Sequence, residues 1–154
     1  HFDQVRPGCA LYGINPQNTH ENPFRGVVTF NARILQIRDV DRGETVGYGA
    51  SYTLSTPAKL AAISVGYADG YLRDFAERGA VYIGGARCPL VGRVSMDVVV
   101  ADVTSVPVAA QAGGWAEILG PRQNVGDLAA AAGTISYEIL TNLGRGNTKI
   151  YSGA

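Results

Sequence analysis

Tyr48 in Val-Gly-Tyr-Gly (46–49) and Tyr67 in Gly-Tyr-Ala-Asp-Gly-Tyr (66–71) each follow a glycine, nineteen residues apart, and Met96-Asp97 follows them in Gly-Arg-Val-Ser-Met-Asp (92–97). A phenol carried on a glycine-flanked stretch can meet a ligand directly, because strand glycine often marks a bulge or the close approach of another group. The chemistry open to such a phenol is proton transfer. A free phenol titrates near ~10, so a tyrosine serving as base around neutral pH needs a positive charge or hydrogen-bond donors beside it. Each residue also has a structural use. Tyrosine suits strands, so Tyr48, Tyr52, Tyr67, Tyr71 and Tyr82 can each be explained by packing. Asp69-Gly70 is a good turn pair, Met96 can fill a core, and Asp97 can cap a turn or accept a hydrogen bond from Arg93. Only the set carries a functional reading.

The elements that must position these residues read mainly as strands. From 27 to 40 the pattern VVTFNARILQIRDV alternates, with Val28, Phe30, Ala32 and Ile34 on one face, which predicts one long strand bent or bulged near Leu35. Further strands are expected at 45–48, 52–54, 60–65, 80–83, 88–94, 98–103 and 115–119, separated by Asp41-Arg42-Gly43, Ser55-Thr56-Pro57, Gly84-Gly85 and Pro107. Tyr48 ends one of these strands, and Tyr67 sits in a strand-like stretch just past another, ahead of the Asp69-Gly70 turn. The C-terminal part changes character: Asn124 or Asp127 can cap a short helix that Gly133 ends, and Ser136 can cap a second through SYEILTNL, with Tyr137 in its first turn. The expected fold is mainly β, a small antiparallel, Greek-key-like β-barrel domain with two short helices near the C-terminus.

With 154 residues, the chain suits one domain that buries about 70% of the surface its unfolded form exposes. Charged residues make up 17% and glycines number 20, a balance that favours a compact, turn-rich fold over disorder. Thirteen basic and thirteen acidic side chains cancel, with no Lys or Arg run to follow a phosphate backbone, so nucleic acid is not an expected partner. No apolar run approaches the ~20 residues that span a bilayer, and HFDQVRPG lacks the plan of a signal peptide. A cytoplasmic protein is the expectation. Cys9 and Cys88 stand far apart and outside any ligand-spaced cluster, so both read as small buried hydrophobes; the two histidines, His1 and His20, offer no triad or metal site. The chain begins at His1 with no methionine before Met96, as an excised or processed segment would.

Five segments taken together, VRPGCALYG (5–13), VGYGASYT (46–53), SVGYADGYLR (64–73), GRVSMD (92–97) and TISYEILTNLGR (134–145), resemble the C-terminal part of the alanine racemase family in order and spacing. That resemblance implies a pyridoxal-phosphate enzyme with an N-terminal (β/α)8 barrel and a C-terminal β domain. Its active site lies between the barrel of one subunit and the β domain of the other in a homodimer. Residues 1–23 then correspond to the terminal segment of the barrel plus a linker, and 24–154 to the β domain.

Carried over position by position, the resemblance implies that Tyr48 is the catalytic tyrosine, moving the α proton on one face of the substrate. Arg6 matches the arginine at the pyridine nitrogen, and Gly8 and Cys9 match the turn whose backbone amides bind the cofactor phosphate. Tyr137 matches the tyrosine whose hydroxyl reaches that phosphate. Tyr67 and Met96 match positions near the substrate, Met96 through its backbone amide toward the carboxylate. The second acid/base in the family is the lysine that forms the Schiff base. Neither Lys59 nor Lys149 lies in such a context, and no function is carried onto Arg145 or Lys149, where the family has a more basic stretch. The chain is therefore expected to be inactive alone, and in its parent to supply D-alanine for peptidoglycan precursors. Racemisation of another amino acid, such as serine, and a non-catalytic β-barrel binding or assembly module are the alternatives.

Overall fold

A computed structural model describes residues 3–17, 21–76, 78–106, 109–143 and 146–153. His1, His20, the turn expected at Pro107, and Arg145 lie outside the described residues.

The organising element is β1 (Phe30–Val40), an eleven-residue strand with two sets of neighbours. Its first half pairs antiparallel with β8 (Trp115–Leu119), and its second half pairs with β4 (Ala58–Ile63) from Ile34 opposite Ile63 to Val40 opposite Ala58. The register slips between Ile34 and Gln36, where the alternation in the sequence also slips. A bulge at that point bends the strand and lets it serve two faces of a curved sheet. β4 continues to β7 (Val99–Asp102), and β8 continues through β5 (Ala80–Ile83) to β6 (Ala86–Pro89), giving the order β6-β5-β8-β1-β4-β7. The two edges then meet: Leu90 bridges Ala101, and the Val91 amide donates to the Val100 carbonyl at 2.8 Å. The sheet is a nearly closed barrel, which leaves little free edge to pair with other chains.

Several expected boundaries shift. The strand expected over 60–65 is β4, which begins two residues earlier and stops at Ile63, where the bulge passes β1 to its other partner. The strand expected over 88–94 is β6, which ends at Pro89; a proline lacks the N–H a ladder needs, and the chain turns from there toward β7. A two-stranded hairpin, β2 (Thr45–Val46) with β3 (Tyr52–Thr53), stands beside the barrel. Under it, Leu54, Leu60 and Val91 form a small cluster of their own.

Inside the barrel Ile34, Ile63, Val81, Ile83, Val99 and Ile118 are fully buried. Each contributes about 1.5–3 kcal/mol by leaving water. One end is covered by α1 (Val125–Ala132) and α2 (Ser136–Leu143), which add Leu128, Ala129, Ile139 and Leu143 to the same core. Asn124 is the cap of α1: its side chain accepts from the amides of Gly126 and Asp127 at 2.8 and 3.1 Å, while the Asp127 carboxylate accepts from the Asn124 amide at 2.9 Å. Both candidates therefore act, as the two halves of a capping box. Ser136 is the first residue of α2 rather than its cap; the Ile135 carbonyl accepts the first amides, from Glu138 and Ile139. Gln123, buried, donates its amide to the carbonyls of Ala80 and Ile118 at 3.0 and 2.8 Å and so fastens the approach to α1 onto β5 and β8. Both cysteines are buried, Cys9 at 8% and Cys88 at 0% exposure.

Candidate active site

The segment at 92–97 is the support on which the other motifs rest. Tyr48 begins a three-residue 3-10 turn, Tyr48–Ala50, and not the end of a strand as its composition suggests. Gly47, at φ 84°, ends β2 by turning the chain, and Gly49 follows at φ 68°. A side chain at Gly47 would stand 3.1 Å from the Arg93 amide, and one at Gly92 would stand 3.0 Å from the Val46 carbonyl. The tyrosine turn is thus laid against Gly92-Arg93.

Tyr67 likewise opens a 3-10 turn, Tyr67–Asp69, in place of the expected strand. Its amide donates to the Ser95 carbonyl at 3.1 Å, and the Ala68 amide donates to the Met96 carbonyl at 3.0 Å. Gly66 packs so tightly that a Cβ there would fall on the Met96 carbonyl. The Asp69 carboxylate accepts from the Gly66 amide at 2.9 Å and closes the turn from within. On the other side Ser95 Oγ donates to the Val98 carbonyl at 2.6 Å and accepts from the Val98 amide at 3.1 Å, holding Met96-Asp97 in a tight reversal. Tyr67 and Met96 are therefore neighbours by backbone hydrogen bonds.

α2 abuts the same turn. Gly70 lies directly on the Asn142 carbonyl, and the Asn147 side chain donates to the carbonyls of Asp69 and Leu143 at 3.3 and 2.8 Å. From the first turn of α2, the Tyr137 hydroxyl donates to Cys9 Sγ at 3.0 Å, across 128 residues of sequence. Cys9 belongs to a 3-10 turn, Gly8–Tyr12, that opens with Gly8 at φ 55°. The bond to Cys9 pushes the Tyr137 hydroxyl above the usual phenol range, so it remains a protonated donor at neutral pH. Arg6 is exposed ahead of that turn; among the described residues no hydrogen bond or ion pair joins it to either tyrosine. The structure thus brings Tyr67 to Met96 and Tyr137 to Cys9 and rests the Tyr48 turn on the same support, while Arg6 stands apart.

Tyr48, Tyr67, Met96 and Tyr137 are exposed by 54, 38, 47 and 52%. All four side chains are thus open to a ligand or a partner surface. The Arg73 guanidinium sits 5.8 Å from the centre of the Tyr67 ring, near the outer limit of a cation–π contact. Sequence reading passed over Arg73, although it closes the segment that carries Tyr67, and over Ser95 and Asn147, whose roles arise from folding contacts that no local pattern displays.

Residues 27–151 match the family described as alanine racemase, C-terminal domain. The chain belongs to that family. Among curated relatives, an alanine racemase of Brucella canis is 43% identical across 98% of this chain, and one of a Methylobacterium species is 49% identical across 97%. The chain spans 42 and 41% of those relatives' lengths. Its fold superposes on a Bartonella henselae alanine racemase, solved with covalently bound pyridoxal phosphate, at a TM-score of 0.89 and 41% identity over 94% of this chain and 40% of the other. The biosynthetic alanine racemase of Pseudomonas aeruginosa gives 0.87 at 35% identity, over 95 and 41%.

Proposed function

We propose that this chain is the C-terminal part of a pyridoxal 5'-phosphate-dependent alanine racemase, supplying a tyrosine base and the lining of a site completed by a (β/α)8 barrel. One observation carries the reading: the turns of Tyr48 and Tyr67 are both fastened to the 92–97 segment that bears Met96, so residues far apart in sequence share one support. Residues 1–23 form the last segment of the barrel and a linker, and 24–154 the β domain. The exposed faces of Tyr48, Tyr67 and Met96 suit an interface with the barrel of a second subunit.

The residues present fit the phosphate end of the cofactor. A Cβ built on Gly8 meets nothing within 4 Å, so open space faces the start of that turn, whose first amides have no intrahelical acceptor. The amides of Gly8 and Cys9 are donors a phosphate monoester takes, and the Tyr137 hydroxyl would join them by turning its one proton from Cys9 Sγ to a phosphate oxygen. Arg6 would donate to the pyridine nitrogen and keep it unprotonated. The bound cofactor supplies an electron sink that acidifies the α-hydrogen of the amino acid. Tyr48 would remove or return that proton on one face, Tyr67 would border the substrate, and the Met96 amide would donate to its carboxylate. Inversion requires a second base on the opposite face. Lys59 is unsuited, since its ammonium is paired with Asp39 at 2.6 Å between β1 and β4. The lysine base would come from the barrel. Alanine is the proposed substrate and a homodimer in the cytoplasm the proposed form; no helix among the described residues is long and apolar enough to cross a membrane.

In the full-length parent enzyme, Tyr48→Phe is expected to lower alanine racemisation by about 10²–10⁴-fold, the usual worth of a positioned acid/base, with cofactor absorbance retained. Near-parental turnover would remove Tyr48 from this role.

A further inference from the structure

Among the described residues Ala50 alone combines a side chain with a positive φ, 52°. It closes the turn that begins at Tyr48, its amide donating to the Gly47 carbonyl at 3.2 Å. Gly47, Gly49 and Ala50 thus place three positive-φ residues around one tyrosine. Glycine moves freely across that half of φ/ψ space, whereas a residue with a Cβ is confined there to a small left-handed well. Two of the three positions therefore loosen the turn and the third restricts it. The Ala50 methyl is exposed, so its effect is exerted through the backbone and not through packing.

The ends of the loop are already fixed. Gly47 rests against Gly92-Arg93, Val46 pairs with Tyr52, and Ser51 Oγ donates to the Val46 carbonyl at 3.5 Å. What these contacts leave free is the arc that carries Tyr48. We infer that Ala50 is a positioning residue for Tyr48, its narrow backbone well setting the direction in which the phenol projects. The inference rests on the proposed role of Tyr48 as base, for which a displacement of about 1 Å costs on the order of 10²-fold in rate.

The test compares Ala50→Gly with Ala50→Asn, since asparagine tolerates the left-handed well yet keeps a Cβ that confines it. In this chain, amide hydrogen exchange at residues 48–51 is expected to quicken about tenfold in Ala50→Gly, with β1 and β8 unchanged, and to stay near the parental rate in Ala50→Asn. In the full-length enzyme Ala50→Gly is expected to lower kcat about tenfold with KM for alanine within twofold of the parent, while Ala50→Asn retains kcat. Unchanged exchange in Ala50→Gly overturns the inference, as does faster exchange with unchanged kcat, or an equal loss of kcat in both variants. Tyr48→Phe separates the two levels: normal turnover there removes the base assignment, whereas the exchange comparison judges the turn by itself.

Discussion

Tyr67 and Tyr71 are four residues apart in one motif, yet the first is 38% exposed and the second fully buried. Tyr71 stacks on Phe75 with ring centres 4.2 Å apart, and its hydroxyl has no hydrogen-bond partner among the described residues. Nothing in the spelling Tyr-Ala-Asp-Gly-Tyr separates the two. The 3-10 turn between them rotates one ring outward and drops the other under the helices, and that turn depends on Met96. Burial pushes the Tyr71 phenol well above its usual range. Because the folded state holds this proton more tightly than the unfolded chain, its contribution to stability is complete below pH ~10 and is lost as pH rises toward the folded value. Tyr71→Phe is expected to stabilise the chain by about 1 kcal/mol, seen as a Tm higher by roughly 2–4 °C, and to flatten the alkaline fall in stability. An unchanged alkaline unfolding profile would show that another group governs it.

At the level of elements, the parts with regular period were legible. The slip near Leu35 marked the bulge in β1, and the strands at 80–83 and 115–119 stand where alternation and turn residues put them. The turns under Tyr48 and Tyr67 were not legible, because residues 45–48 have strand composition and Gly47, which ends β2 at φ 84°, lies against Arg93, nearly fifty residues later. Tertiary packing overrides local propensity at such places. Gly66 is the sharpest instance, since its missing Cβ is what lets the Tyr67 turn lie on the Met96 carbonyl. Gly66→Ala is expected to cost about 3 kcal/mol, measured by denaturant unfolding, because backbone must move to admit the methyl. A loss below 0.5 kcal/mol would mean that the two segments separate easily and that Tyr67 and Met96 are not rigidly paired. The sequence offers the candidate residues as a list, while the connection of Tyr137 to Cys9 emerges only when α2 docks.

Viewed whole, the molecule is a nearly closed barrel with the candidate tyrosines Tyr48, Tyr67 and Tyr137 exposed on the turns at 48–50 and 67–69 and on the first turn of α2. Closing the sheet through Leu90 and Ala101 gives those turns a rigid base, which suits the proposed role of Tyr48. Its relatives are more than twice as long. Under the proposed mechanism neither Lys59, paired to Asp39, nor Lys149, in the tail beyond α2, serves as the second base opposite Tyr48. Incubated with pyridoxal phosphate and L-alanine, it is expected to form no D-alanine above the rate of the free cofactor, as read by chiral chromatography. Steady D-alanine formation well above that rate would refute the need for a second base.

The division of labour between two bases is tested most directly by deuterium uptake in the full-length Tyr48→Phe enzyme, given each alanine enantiomer separately in D2O. With Tyr48 acting on one face only, one enantiomer should still exchange its α-hydrogen without inversion while the other stops exchanging. Equal exchange of both enantiomers at the parental rate would contradict the assignment of Tyr48 as the base of one face.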